Sequence, residues 1–157
     1  LPDQRESKMP ACEILRLSKL SDAQIDECVA LLLNAFADPE RYGEARIRRE
    51  LAGEDAPFYR QFFAAVEDGC VQGVAGVKAA DWASDTHILY LSAVMPERRG
   101  QGIGRQLVKA RLEWIETHFK HGRTLVSTGK PRRFRSFGFS EVPHSVQQGR
   151  RLMMRRF

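Results

Sequence analysis

Apolar residues recur along this chain with two different periods, and the switches between them outline its elements. A strand with one buried face is expected where every second residue is apolar. A helix with one buried stripe is expected where the spacing is three and four. Ala11 to Leu17 alternates and predicts a first strand. Ser21-Asp22-Ala23-Gln24 reads as a capping box, in which the Ser hydroxyl and the Gln amide satisfy backbone groups at a helix start. The helix that follows places Ile25, Cys28, Val29, Leu32 and Phe36 on one stripe until Asp38-Pro39 breaks it. A short charged helix is expected from Gly43 to Leu51, ended by Gly53 to Pro57. Phe58 to Val66 and Cys70 to Ala79 read as strands joined by an Asp68-Gly69 hairpin turn. Gly73 and Gly76 in the second of these imply a bulge or a close backbone approach.

After a polar loop, a strand ends at Val94, and a helix from Gly104 to about Phe119 buries Leu107, Val108, Leu112, Ile115 and Phe119. Thr124 to Thr128 is a short buried strand, Lys130 to Arg135 is basic, and Arg151 to Phe157 supplies a last strand. The order β-α-α-β-β-β-α-β-(α)-β-β predicts an α+β fold, a mixed and mostly antiparallel sheet flanked by helices. No linker, repeat or low-complexity stretch divides the chain. Residues 1–8 read as a polar tail before Met9, with one domain over residues 9–157.

Composition narrows the class. At 157 residues, 43% hydrophobic and 29% charged, the chain can bury a real core. No apolar run approaches the roughly 20 residues of a membrane span, so no membrane partner is expected. Cys12, Cys28 and Cys70 are far apart with no C-x-x-C pair, which implies buried thiols in a reducing, cytoplasmic setting and no metal site. The net charge of +5 hides an asymmetry: residues 1–97 hold 10 Lys/Arg against 17 Asp/Glu, and residues 98–157 hold 15 against 3. That split suits a cationic partner on one side and an anionic one on the other.

The most informative chemistry lies between the Thr86–Val94 strand and the helix after it. Gly100, Gly102 and Gly104 alternate through a turn that opens into the helix, so backbone N–H groups can converge where the helix dipole begins. Arg98, Arg99 and Arg105 add positive charge, and the combination is a phosphate site. It is neither G-x-G-x-x-G nor a Gly-Lys-Ser/Thr loop. Strand, Val94-Met95-Pro96, Arg99-x-x-Gly102-x-Gly104 and helix, in one register, resemble motif A of the GNAT (GCN5-related N-acetyltransferase) superfamily, and the element order is similar over nearly the whole chain.

The resemblance implies an N-acetyltransferase that moves an acetyl group from acetyl-CoA to a primary amine. It implies that Arg99, Gly100, Gln101, Gly102, Ile103, Gly104 and Arg105 hold the pyrophosphate. The pantetheine would pair with backbone near Ser92, Ala93 and Val94, where the strand splays from its neighbour, with Pro96 ending further pairing. The Val94 N–H would polarise the thioester carbonyl. The histone-acetylating branch carries a base Glu where this chain has Ile88, and many members carry an acid Tyr where this chain has Phe134 in Phe134-Arg135-Ser136-Phe137-Gly138-Phe139. Phenylalanine donates no proton. Alternation puts Ile88, Tyr90, Ser92 and Val94 on one face, so Tyr90 and Ser92 could together orient a proton-relaying water. His87, on the other face, reads as a solvated surface residue rather than a base.

Lys130, Arg132, Arg133 and Arg135 could meet the CoA 3′-phosphate or solvent. Asp38, Glu40, Glu44, Glu50, Glu54 and Asp55 fall where the resemblance places the acceptor wall, so a cationic amine is expected there. A homodimer is compatible with the family. The alternatives are an acyl-CoA binder without turnover and, less favoured, a nucleic-acid module built on the basic half, for which no recognised motif is present.

Overall fold

Hairpin geometry organises the first half of the sheet. In the computed structural model, which describes residues 12–53 and 58–157, β2 (Arg60–Glu67) turns at Asp68 and Gly69 into β3 (Cys70–Ala79). Both turn residues have positive φ, at 50° and 76°, the twist a tight hairpin requires. β1 (Glu13–Arg16) pairs antiparallel with β2, and β3 pairs antiparallel with β4 (Thr86–Val94). The chain then crosses through α3 (Ile103–His118) to β5 (Arg123–Thr128), which lies parallel to β4. A short α4 (Pro131–Arg135) leads to β6 (Ser140–Glu141) and β7 (Arg151–Arg156). The seven strands form one sheet in the order β1-β2-β3-β4-β5-β7-β6. This is the mixed, mostly antiparallel α+β sheet the hydrophobic pattern predicts.

Each sheet face has its own helices because the central strands β2, β3 and β4 bury apolar residues on both sides. α1 (Asp22–Ala35) starts on the expected capping box, with the Ser21 Oγ accepting from the Gln24 N–H at 3.2 Å and the Gln24 Oε1 accepting from the Ser21 N–H at 2.9 Å. With α2 (Glu44–Ala52) it buries Cys28, Val29, Leu32 and Ile47 against Phe62, Ala64, Val74 and Leu91. α3 covers the opposite face, packing Leu107, Val108, Leu112 and Ile115 on Ala75, Val77, Leu89 and Val126. Each such side chain contributes about 1.5–3 kcal/mol by leaving water. No helix among the described residues is long and apolar enough to cross a membrane.

Boundaries shift where tertiary contacts outweigh local pattern. Of the expected first strand, Glu13–Arg16 pairs, Leu17 begins a 3-10 turn, and Ala11 lies outside the described residues, as does the expected tail. β2 begins at Arg60 rather than Phe58, whose ring is half exposed. β6 is only two residues long and carries no hydrophobic period of its own.

His87 departs from expectation. It is 2% exposed, not solvated: its ring lies in an aromatic box of Tyr59, Phe119 and Phe157 with centroids 4.5–5.8 Å away. Its Nδ1 is 2.6 Å from the Tyr59 hydroxyl, and among the described residues Nε2 has no partner. Burial pushes the His87 pKa down from 6.5, against the opposing pull of Asp85. The fold therefore favours the neutral ring. Its stabilisation is complete above the unfolded pKa and is lost as pH falls through 6.5 toward the lower folded value. The melting temperature is expected to fall between about pH 7 and 5.5. The fall should be smaller in His87→Phe, as thermal unfolding at a series of pH values will measure.

Candidate active site

Five residues of β4 have lost a neighbour. β4 pairs with β5 only from Thr86–Arg123 to Leu89–Val126, so from Tyr90 to Val94 the β5-side edge faces a gap. β5 continues to Thr128 by pairing with β7 instead. The break has a local cause. On the β3 side the register runs Gly76–Tyr90 and then Val74–Ala93, so Leu91 and Ser92 together oppose Ala75. This is a β-bulge, and Leu91 sits at φ 45°, unusual for a bulky residue. On the β3 side pairing runs to Met95, whose N–H donates to the Gln72 carbonyl at 2.9 Å, and the 3-10 turn begins at Pro96; on the β5 side pairing stops at Leu89, well before Pro96.

The bulge also corrects the expected face. Tyr90, Leu91 and Ala93 all pack toward α1 and α2, whereas Leu89 and Val94 pack toward α3. Simple alternation therefore does not run through the bulge, and Ser92 is exposed whereas Tyr90 is part-buried. Tyr90 has a different partner: its hydroxyl donates to the Glu50 Oε2 at 2.6 Å, and Arg60 Nε lies 3.2 Å from the same oxygen. Lys78 Nζ sits 4.6 Å from the Tyr90 ring centre. Burial first, and donation to Glu50 second, push the Tyr90 pKa up, so this hydroxyl stays protonated. Glu50 is 9% exposed and stands out from the other acids. Glu44 and Asp26 are both paired with Arg48, at 3.0 and 2.9 Å, Asp38 accepts from the Arg41 N–H, and Glu54 and Asp55 lie outside the described residues.

Beyond Val94 a 3-10 turn over Pro96–Arg98 leads to the glycine turn. Gly100 and Gly102 have φ 78° and 85°, and an added Cβ at either would meet nothing within 4 Å, so the turn is open. Gly102 caps α3, no side chain among the described residues caps that end, and no acid lies in the first turn. The first N–H groups of a 16-residue helix therefore point outward unsatisfied, the condition for holding an anion.

The flanking arginines differ from one another. Arg98 is committed inward, ion-paired with Glu67 and donating to the Gln101 Oε1 at 2.8 Å, so it braces the turn. Arg105 lies over the Phe137 ring at 5.1 Å. Arg99 lines a cavity of about 280 Å³ between α1 and the end of β4, together with Val94, Glu27 and Asn34. A larger cavity of about 690 Å³ lies away from this turn, between α1, α2 and β2. From the basic run, Arg133 reaches α3: a Cβ on Gly104 would stand 2.8 Å from its Nη1. Arg135 lies 3.8 Å from Glu141 instead, and Lys130 is exposed. Phe134 is buried edge-on to Phe139 at 5.5 Å, in the cluster against which Val94 packs. It is an apolar wall with no proton to give.

Residues 25–139 match the family model described as "Acetyltransferase (GNAT) family". No curated protein matches the sequence. Solved structures match the fold closely. ElaA of Escherichia coli is 19% identical, covering 92% of this chain and 99% of its own at TM-score 0.74. An acyl-CoA N-acyltransferase of Pseudomonas aeruginosa is 16% identical with the same coverage at 0.73. PaiA N-acetyltransferase of Thermoplasma acidophilum, solved with coenzyme A, is 13% identical, again 92% and 99% covered, at 0.71. The chain belongs to the GNAT acetyltransferase family.

Gly102→Val is expected to weaken coenzyme A binding about tenfold or more, because its side chain would crowd the open helix start where the sequence leads us to expect a phosphate. It should also cost about 1–3 kcal/mol through a β-branched residue at positive φ. Calorimetric titration of the folded variant decides, and wild-type affinity would remove the turn from the binding site.

Proposed function

We propose that the protein transfers the acetyl group of acetyl-CoA to a primary amine by direct attack on the thioester. The observation that carries this reading is the unpaired edge of β4 from Tyr90 to Val94 leading into an uncapped helix N-terminus. A pantetheine arm is an extended chain with two amide groups, and an unpaired strand edge is its natural complement. The pyrophosphate would rest on the N–H groups of the Arg99–Gly104 turn, with Arg105 and Arg133 adding charge. Ser92, Ala93 and Val94 would pair with the arm, and the Val94 N–H would donate to the thioester oxygen as charge develops there.

The amine nitrogen attacks the carbonyl carbon, the nitrogen loses a proton, the C–S bond breaks, and the thiolate departs. With Ile88 and Phe134 at the customary positions, the proton needs another acceptor. Tyr90 and Glu50 supply one on the α1 and α2 face: the hydroxyl takes the amine proton as its own passes to the Glu50 carboxylate. Coenzyme A thiolate leaves beside Phe134 without a donated proton, which a thiol pKa near 8.5 permits. A carboxylate buried with aromatic side chains on this face suits a cationic amine, which releases one proton to solvent before its nitrogen attacks, the second proton then passing to Tyr90 and Glu50.

Thiol release from acetyl-CoA against a panel of amines tests the activity. Turnover led by cationic amines is expected. Coenzyme A binding with no turnover across the panel would replace this reading with that of a non-catalytic acyl-CoA binder. In the active enzyme Glu50→Gln should lower kcat by about 10²-fold while leaving coenzyme A affinity nearly unchanged. An unaltered kcat would acquit Glu50.

A further inference from the structure

Arg111 is a charged residue where the core should be apolar. It lies in the middle of α3, is 1% exposed, and faces the sheet among Leu107, Val108 and Leu112. Among the described residues no carboxylate pairs with it. The charged group in closest electrostatic communication is another cation, Arg133, and burial holds its pKa down at about 9. A guanidinium remains protonated even so. Burying it without a counter-ion is unfavourable by several kcal/mol, and a Met or Leu of similar bulk would serve packing better.

Its hydrogen bonds show what it does instead. Nε donates to the Leu107 carbonyl at 3.1 Å, one turn back on its own helix, which fixes the guanidinium plane. Nη1 crosses to the sheet and donates to the Gly76 carbonyl at 3.0 Å. Gly76 is the β3 residue at which the ladder to β4 shifts register, opposite Tyr90 and beside the Leu91 bulge. The same residue is clamped from the other face. A Cβ on Gly76 would stand 2.6 Å from the Phe62 ring and 2.9 Å from the Tyr90 ring, so both rings close over its backbone.

We propose that Arg111 is a positioning residue: its charge-assisted bond to Gly76 holds the β3–β4 bulge, and the bulge sets where β4 departs from β5 and how Ser92–Val94 present their backbone groups. The bond is strong because it is made out of water to an uncharged carbonyl. Without it the ladder gains freedom to pair in regular register, which turns the residues after Leu91 by one step and moves the Val94 N–H. Errors of that size in aim are worth about 10²-fold in rate. The kinetic consequence rests on the acetyl-transfer reading above, whereas the structural one does not.

Two measurements on Arg111→Met therefore separate them. Amide hydrogen exchange in the folded protein should accelerate about tenfold or more at the β4 amides bonded to β3 between Leu91 and Met95, with Thr86–Leu89 protected as before. The melting temperature should hold or rise, since a lone buried charge has been removed. With an amine that the wild type acetylates, kcat should fall about 10- to 100-fold with little change in coenzyme A affinity or KM for the amine. Arg111→Lys, which keeps one donor, should recover part of both losses. It carries the exchange test if the Met variant does not fold, since protection should then be intermediate. Unchanged exchange at the β3-bonded amides between Leu91 and Met95 in either folded variant overturns the proposal. A lowered melting temperature with faster exchange across the whole sheet also overturns it, showing Arg111 to be ordinary packing. If the wild type acetylates no amine, acetyl transfer falls while the exchange result still decides the role of Arg111.

Discussion

The active region depends on one missed pairing. A parallel strand beside β4 would normally take every backbone group along its edge, and buried backbone groups are seldom left unpaired. β5 does so only as far as Leu89–Val126, because the extra residue at Leu91–Ser92 bends β4 away. Everything with chemical potential is arranged around that departure: the free edge from Tyr90 to Val94, the glycine turn above it, Tyr90 and Glu50 below, and Phe134 as the wall. A continuous ladder would leave the same side chains with no place for a substrate to enter.

The two faces of the sheet take different shares of the work. The α3 face provides the helix start and the buried guanidinium at Gly76, both of them positive. The α1 and α2 face provides a carboxylate with a protonated phenol. The chain-long charge asymmetry is therefore real at the site but works through few residues. Several of the acids counted in the first half are held by arginines, Asp26 and Glu44 by Arg48 and Glu67 by Arg98.

Local signals were legible in the sequence and long-range ones were not. The α1 capping box, the Asp68-Gly69 hairpin, the succession of elements and the glycine-rich turn into α3 depend on residues a few positions apart, and each formed as read. Family membership followed from the same turn. The bulge left no trace, because Leu91 is an ordinary strand residue and its positive φ is imposed by the ladder. Missing it left the faces of Tyr90 and Ser92 to a simple alternation that the bulge interrupts. His87 read as a surface residue because the rings that bury it come from Tyr59, Phe119 and Phe157. Arg133 was indistinguishable from its basic neighbours, and Arg111 from an ordinary helix cation, until α3 was set against the sheet.

The brace at Arg98 bears on how binding energy is distributed. By joining Glu67, Gln101 and the 3-10 turn, this side chain surrenders its rotamer freedom when the chain folds rather than when a ligand arrives. In the proposed complex the phosphate is met first by main-chain amides, which have no rotamers to lose, with Arg105 and Arg133 adding charge. Ordering a long side chain on binding typically subtracts about 0.5–1.5 kcal/mol each. In the complex proposed above, the turn would meet its ligand with that entropy already spent, and the main-chain part of its selectivity would rest on whether a diphosphate fits the curve of the backbone.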